Sequence, residues 1–306
     1  MSKNQCRICG SSDNRKLFTS LNVHGRHLLG NEKFDIYECY HCHVLFTDVI
    51  PNYQYYRKYY PKNYYETIPN NGLAQLVLSW FNNLGFARRM AIINRFKPTG
   101  KNVLDIGCAN GEFLNQLPAN FERYGVEVNT DAYLYIKKNY PDITVYNQKI
   151  DSTKFKNNIR FDIIVMWHVL EHVDNPNIFF KSIRKILNKN GVLIIEIPNR
   201  DSLGLNIARS SWFHLDTPRH LFFYNYICLK ELLRKNHLRI INYSSDPLSY
   251  FHDLSFSLYN MPKQNNLFID FILFIIIVPI TLLIRLILSL FYPRAAEINT
   301  YVIKHS

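Results

Sequence analysis

Three sets of residues in this chain have types and spacings suited to chemistry. The first is a pair of cysteine knuckles, Cys6 with Cys9 and Cys39 with Cys42. Two residues between cysteines let both sulfurs address one ion, and two such knuckles complete a tetrahedron. A redox dithiol needs only one pair, so the doubling points to structural Zn2+. Reduced core cysteines are the competing reading, and His41 or His43 could replace one thiolate. A shell of four thiolates leaves no open position, so the ion would hold together a segment too short to bury much core.

The second set begins in VLDIGCANGEFL, Val103 to Leu114. Gly107 and Gly111 permit a left-handed turn and bring a ligand against bare backbone, beside Asp105 and Cys108. The spacing lacks the middle glycine of a dinucleotide fingerprint, since Ala109 stands there, and no Gly-Lys-Ser/Thr follows to hold a triphosphate. Glu127 ends YGVEVN, where a carboxylate can accept both hydroxyls of a ribose. Asp151 follows the next apolar run, where it could meet an adenine amino group. Trp167 and His168 stand in MWHVLEHV, ahead of Glu171 and His172. The third set is the run WFHLDTPRHLFFY, Trp212 to Tyr224, with His214, Asp216, Arg219 and His220.

The elements that must position these residues alternate. Short apolar runs at Val103–Ile106, Tyr124–Val128, Ile143–Tyr146, Phe161–Trp167, Gly191–Ile197 and Leu238–Tyr243 are predicted strands. Helical patterns from Gly111 and over 131–140, Asn177–Leu187 and 226–236 separate them. Strand–helix alternation implies right-handed crossovers and a largely parallel sheet covered on both faces. The acids and histidines then fall at its carboxyl edge, where such folds bind ligands.

The motifs VLDIGCANGEFL, YGVEVN, FDIIVMWHVLEHVDNP and LNKNGVLIIEIPN, in this order, closely resemble class I S-adenosylmethionine-dependent methyltransferases. The resemblance covers about residues 99–246. It implies an α/β, Rossmann-like seven-stranded sheet whose seventh strand, Ile298–Lys304, is antiparallel beside the sixth. It implies that Asp105, Gly107 and Gly111 line the methionine and ribose part of S-adenosylmethionine, that Glu127 holds the ribose, and that Asp151 approaches adenine, with Trp167 in the same site. Cys108 is expected to be a small turn residue beside the cofactor. Ala109 departs from the glycine of many members.

With a zinc ribbon in front, the chain looks like the methyltransferases of bacterial polysaccharide and sugar pathways. Relatives that methylate sugar carbon carry a large extra C-terminal domain, which is not expected here, so oxygen is the expected acceptor atom. An alcohol acceptor needs a base near neutrality, which makes His220, His214 and His168 the candidates. Arg219 could clamp a phosphate or carboxylate of the acceptor, or it could pair with Asp216 in a packed loop. His172 is expected to cap or pack near the cofactor.

Residues 1–48 divide off as the zinc ribbon and 49–98 as an aromatic helical linker or lid, whose YQYYRKYYPKNYY docks on the core with one or two tyrosines reaching the site. The methyltransferase domain takes 99–246 plus 297–306. Residues 247–296 form a hydrophobic helical insertion between strands six and seven. Its stretch Leu267 to Phe291 as one helix, at about 1.5 Å per residue, could cross roughly 30 Å. Arg285 inside it costs roughly 2.5–3.5 kcal/mol at a membrane centre, Pro279 breaks it, and both ends must return to one sheet. A helix pair lying on or dipping into the cytoplasmic leaflet fits best. The formal charge of +12 suits anionic headgroups. No dense Lys/Arg block points to nucleic acid, although aromatics among basic residues keep an RNA methyltransferase in view, beside a protein methyltransferase and a non-catalytic scaffold. MSKNQCRICG has no apolar signal region. The expected place is cytoplasmic, peripheral on the inner membrane face, with a small-molecule or glycan acceptor. The oligomeric state is open.

Overall fold

A computed structural model describes residues 5–21, 32–60, 72–96, 100–245 and 296–306, with Ile280, Leu283 and Ile287 besides. Its centre is a seven-stranded sheet. In chain order the strands are β4 (Asn102–Ile106), β5 (Glu122–Val126), β6 (Ile143–Tyr146), β7 (Phe161–Trp167), β8 (Leu187–Pro198), β10 (Leu238–Ser245) and β11 (Ile298–His305), and in space they run β10-β11-β8-β7-β4-β5-β6. The pairs among β4 to β8 are parallel, and β11 is antiparallel to both β8 and β10. This is the mostly parallel Rossmann-like sheet that the alternation predicts. β5 begins and ends two residues early, which leaves Glu127 just past its end. β8 begins at Leu187 because Leu187 pairs with Phe161 across a register shift, a pairing that the polar Asn-Lys-Asn behind it conceals.

Side chains alternate through the sheet as pleating requires. Leu104, Ile164, Met166, Leu193 and Ile195 enter one buried cluster, with Phe180 and Ile183 of α5 (Pro176–Ile186) and Leu229 and Leu232 of α7 (Tyr226–Lys235). Val103, Ile163, Val165, Val192 and Ile194 enter the other, with Ile93 of α2 (Gly72–Phe96), Leu114 of α3 (Glu112–Gln116) and Ile136 of α4 (Thr130–Asn139). Both faces are covered, so the strands read as unbroken apolar runs. Asn129, Asn175 and Asn225 cap α4, α5 and α7 by accepting from the backbone three residues on, which fixes where each helix leaves the carboxyl edge.

The N-terminal segment forms a second, antiparallel sheet of β1 (Asn14–Leu21), β2 (Lys33–Cys39) and β3 (Leu45–Thr47). Its fourth strand, β9 (Phe222–Phe223), comes from the histidine-rich run of the core. The Thr47 hydroxyl donates to the His220 carbonyl at 2.7 Å and the Thr47 N–H to the Leu221 carbonyl. Behind it, α1 (Tyr53–Tyr59) places Tyr55 so that its buried hydroxyl donates to the Pro218 carbonyl at 2.8 Å. A composition boundary near residue 48 does not register this sharing of strands. α6 (Leu203–Ala208) precedes the run, and its entry is held by Glu297, which accepts from Gly204 N–H and from the Trp212 indole.

β10 and β11 pair from Ser245 with Asn299 back to Leu238 with His305. The chain therefore leaves and rejoins the sheet at its carboxyl edge. Nearly all of the expected insertion, including Pro279 and Arg285, lies outside the described residues. Ile280, Leu283 and Ile287 are helical and exposed. Among the described residues no helix is long and apolar enough to cross a membrane.

Candidate active site

The VLDIGCANG turn takes the left-handed backbone its glycines suggest. Gly107 has φ of 71°, Ala109 46° and Gly111 77°. A Cβ on Gly107 would come within 2.7 Å of Val169, and one on Gly111 within 3.0 Å of Ile136. Gly107 therefore keeps the turn close to the segment after β7, while Gly111 lets α3 pack on α4. Glu127 locks the turn from the neighbouring strand. One carboxylate oxygen accepts from Ala109 N–H at 2.9 Å and the other from Asn129 N–H at 2.8 Å. Burial pushes the Glu127 carboxyl above its ordinary pKa, with those N–H groups pulling the other way. Each oxygen still has a lone pair for a ligand, and Glu127 lines the cleft.

That cleft has a volume of about 1300 Å³, above the roughly 300–1,000 Å³ of a common small-molecule site. Gly107, Glu127, Asp151 and Trp167 line it together with His168, His214, Asp216, Arg219 and His220. The nucleoside-type and acid–base candidates thus share one space. Three expected residues stand outside it. Gly111 serves helix packing. Asp105 is buried under the turn with Oδ1 unpartnered, and burial raises its carboxyl well above the ordinary range, Arg89 opposing. The Cys108 sulfur packs against Gly125, and burial raises its thiol, which suits a packing role and not a nucleophile.

On the acid–base side, His168 has φ of 57° at the end of β7. Its Nδ1 lies 3.4 Å from Glu171 and its Nε2 3.6 Å from Glu196. Arg219 Nε donates to both oxygens of Asp216 at 3.0 Å, and both side chains are buried. The ion pair that the packed-loop reading expects therefore exists, inside the cleft wall. His220 donates from Nδ1 to the His214 carbonyl at 2.7 Å. Burial, reinforced by His172, pushes its pKa down to about 3, a poor value for a base working near neutrality. His172 sits between the Arg219 carbonyl at 3.0 Å and the Tyr60 hydroxyl at 3.1 Å. Tyr60 also lines the cleft, so one tyrosine of the aromatic segment reaches it.

Sequence reasoning missed Glu196, Arg88 and Arg89. Glu196 is fully buried in β8 and accepts from Arg88 at 2.7 Å and Arg89 at 2.8 Å. Burial opposes its charge, but Arg89, His168 and Arg88 hold its pKa down at about 2. The Arg89 guanidinium also lies 4.5 Å over the Trp167 ring, fixing that indole in the cleft wall. The available signal was a lone acid in the apolar run GVLIIEIP.

At the other end of the N-terminal sheet, the Cys6 and Cys42 sulfurs lie 3.6 Å apart and those of Cys9 and Cys39 3.5 Å, with all four within 4.8 Å of one another. Bonds of about 2.3 Å in a tetrahedron put sulfurs about 3.8 Å apart. The four thiols could therefore hold one such ion.

The strand order, the glycine turn and the acid at the end of its neighbour define the class I S-adenosylmethionine-dependent methyltransferase fold. A family profile described as "Methyltransferase domain" matches residues 82–243, more than half of the chain, and the chain belongs to that family. It is 33% identical over 112 residues to a ubiquinone biosynthesis O-methyltransferase of Glaesserella parasuis serovar 5 (strain SH0165), covering 33% of this chain and 47% of that protein. It is 26% identical over 122 residues to a probable S-adenosylmethionine-dependent methyltransferase of Mycobacterium tuberculosis (strain ATCC 25618 / H37Rv), covering 39% and 44%. The chain thus spans a little under half the length of these curated relatives. Among solved structures it is similar to an S-adenosylmethionine-dependent methyltransferase from Clostridium acetobutylicum ATCC 824, with 12% identity, a TM-score of 0.47 and 72% and 90% of the two chains covered.

The Glu127 carboxylate, the Trp167 ring and the bare backbone at Gly107, all lining the cleft, fit a nucleoside ligand. Glu127→Ala is expected to weaken S-adenosylhomocysteine binding at least tenfold by isothermal titration. Unchanged affinity would mean that the ribose is held elsewhere.

Proposed function

We propose that this protein transfers a methyl group from S-adenosylmethionine to an oxygen of a sugar or lipid-linked glycan at the cytoplasmic membrane face. The observation that carries the reading is the single cleft joining the Glu127 turn to His168, His214 and the Asp216–Arg219 pair. When bound, the sulfonium supplies an electrophilic methyl group and leaves as a neutral thioether. The protein's own part is alignment and proton removal. Glu127 and Asp151 orient the nucleoside. His168, between Glu171 and Glu196, takes the acceptor proton in preference to the deeply buried His220. Asp216 holds the Arg219 fork in the wall, where it orients the acceptor. Relatives named O-methyltransferases support oxygen as the acceptor atom.

The membrane part of the reading rests on two observations. The chain between β10 and β11 departs from the same edge that holds the cleft, so a membrane-seated insertion turns the cleft toward lipid. Ile280, Leu283 and Ile287 are spaced as one helical face and are exposed, which suits an interfacial helix. The four cysteines bind structural Zn2+ and keep the N-terminal sheet paired to the core through β9. A basic cluster of Arg160, Lys181, Arg184, Lys185 and Lys235 speaks for RNA, but it lies at the amino edge of the sheet, opposite the cleft.

His168→Ala is expected to lower turnover about 10²–10⁴-fold while S-adenosylhomocysteine affinity stays unchanged; equal turnover would remove His168 from the chemistry. Cys39→Ser is expected to lower zinc content and folding yield, and a fully metallated, equally stable variant would refute the zinc assignment. The full chain is expected to float with anionic vesicles and a variant lacking residues 267–291 to stay in the soluble fractions. Equal flotation would place membrane contact elsewhere.

A further inference from the structure

The Glu171 carboxylate is buried, and neither oxygen has a hydrogen-bond partner. Leaving a carboxylate dry and unpaired is costly, so its surroundings should contain a cation or a place for one. Beside it stand His172 and His220, with ring centroids 4.6 Å apart. One carboxylate oxygen and one nitrogen from each ring lie within 4.8 Å of one another.

The tautomers follow from the hydrogen bonds. His172 Nδ1 faces the Arg219 carbonyl at 3.0 Å, and His220 Nδ1 faces the His214 carbonyl at 2.7 Å. A carbonyl only accepts, so His220 Nδ1 carries the proton and its Nε2 keeps its lone pair. His172 Nδ1 also meets the Tyr60 hydroxyl at 3.1 Å, and the Nδ1–H form is the one that satisfies the carbonyl, with Tyr60 accepting beside it. A ring N–H on a carbonyl with the other nitrogen free is the arrangement of a metal-ligating histidine. The nearest charged groups are His168, 3.4 Å from Glu171, and Asp216, 3.8 Å from His220 Nε2. Asp216 is engaged by Arg219, whereas Glu171 has only imidazoles around it, with His168 at 3.4 Å as its ion-pair partner.

We propose that Glu171, His172 and His220 form a binding site for one divalent transition cation in the acceptor part of the cleft. Two imidazoles and one carboxylate suit Zn(II), Fe(II), Co(II) or Mn(II) and disfavour the ions that prefer oxygen donors alone. Bonds of about 2.0–2.2 Å would draw the three donor atoms, now within 4.8 Å of one another, closer together around the ion. Three protein ligands leave positions open on the side where His172 and His220 meet the cleft. An acceptor hydroxyl bound there would ionise more easily. That use rests on the methyltransferase reading, whereas the metal binding itself does not. The site is distinct from the four cysteines in position and in donor chemistry.

The test is titration of the full chain, as purified, with Mn(II), following the electron paramagnetic resonance signal of the free ion. The expected result is uptake of one Mn(II) per chain, with echo modulation from imidazole nitrogen in the bound ion. Glu171→Gln and His220→Asn are each expected to bind at least tenfold more weakly, with far-ultraviolet circular dichroism unchanged. The modulation is read on the unaltered chain, so it decides the matter even if a variant fails to fold. Absence of uptake of Mn(II), Co(II) and Zn(II) beyond the cysteine site, bound ion without imidazole modulation, or equal uptake by folded variants would overturn the proposal. A chain that binds Mn(II) yet transfers no methyl group would sink the proposed function and leave this site standing.

Discussion

The Glu127 carboxylate bridges the Ala109 and Asn129 N–H groups, and the geometry of the cleft depends on that bridge. It ties the glycine turn after β4 to the start of α4 after β5, two segments that the parallel sheet merely leaves side by side. Hydrogen bonds to a charged group contribute about 1.5–3 kcal/mol each, and they work against the burial that disfavours the charge without outweighing it. The positive φ at Ala109 is a strain that L residues seldom accept. The N–H bond to Glu127 stabilises this conformation. One side chain therefore shapes the turn and faces the ligand.

A second constraint acts on the acid–base wall. Glu196 carries a charge in the middle of an apolar sheet, which is tolerable only because Arg88 and Arg89 reach it from α2. Removing one partner of such a buried pair costs roughly 3–5 kcal/mol, because the other charge is left without compensation. The same pair sets the electrostatic environment of His168, 3.6 Å away, and Arg89 pins Trp167. α2 thus belongs to the site although it lines none of the motifs. Its contribution is to make a charged β8 compatible with a folded core.

The sheet and the nucleoside half of the site were legible in the sequence because their causes are local. Strands buried on both faces show as apolar runs, and a turn with positive φ shows as glycine. The acid that must sit at a strand end follows its strand directly. Glu196 with Arg88 and Arg89 was not legible, because the partners are more than a hundred residues apart and only the fold brings them together. Strand β9 was hidden for a similar reason. Phe222 and Phe223 read as part of a loop near histidines, and nothing in their neighbourhood announces that Leu45 and Phe46 will pair with them. The roles of the three candidate histidines were equally out of reach. Burial and the donor bond to the His214 carbonyl separate His220 from His168, and neither is a property of sequence spacing.

The β9 pairing changes how the two halves of the molecule relate. The run from Trp212 to Tyr224 has little regular structure of its own, and loops of that kind usually move. Here it is held at several points. Glu297 takes the Trp212 indole, Asp216 takes Arg219, Tyr55 holds the Pro218 carbonyl and Thr47 holds the His220 and Leu221 backbone. Two of those anchors, Thr47 and Tyr55, come from the N-terminal segment, whose β2 and β3 strands end and begin beside the cysteine knuckles. The cysteine cluster and the loop that carries Arg219 and His220 are therefore joined through β2, β3 and the Thr47 and Tyr55 contacts. The N-terminal sheet gains a fourth strand from the core, and the loop gains a paired edge. Neither half is complete without the other, so the acceptor wall is best regarded as a joint product of the N-terminal module and the core.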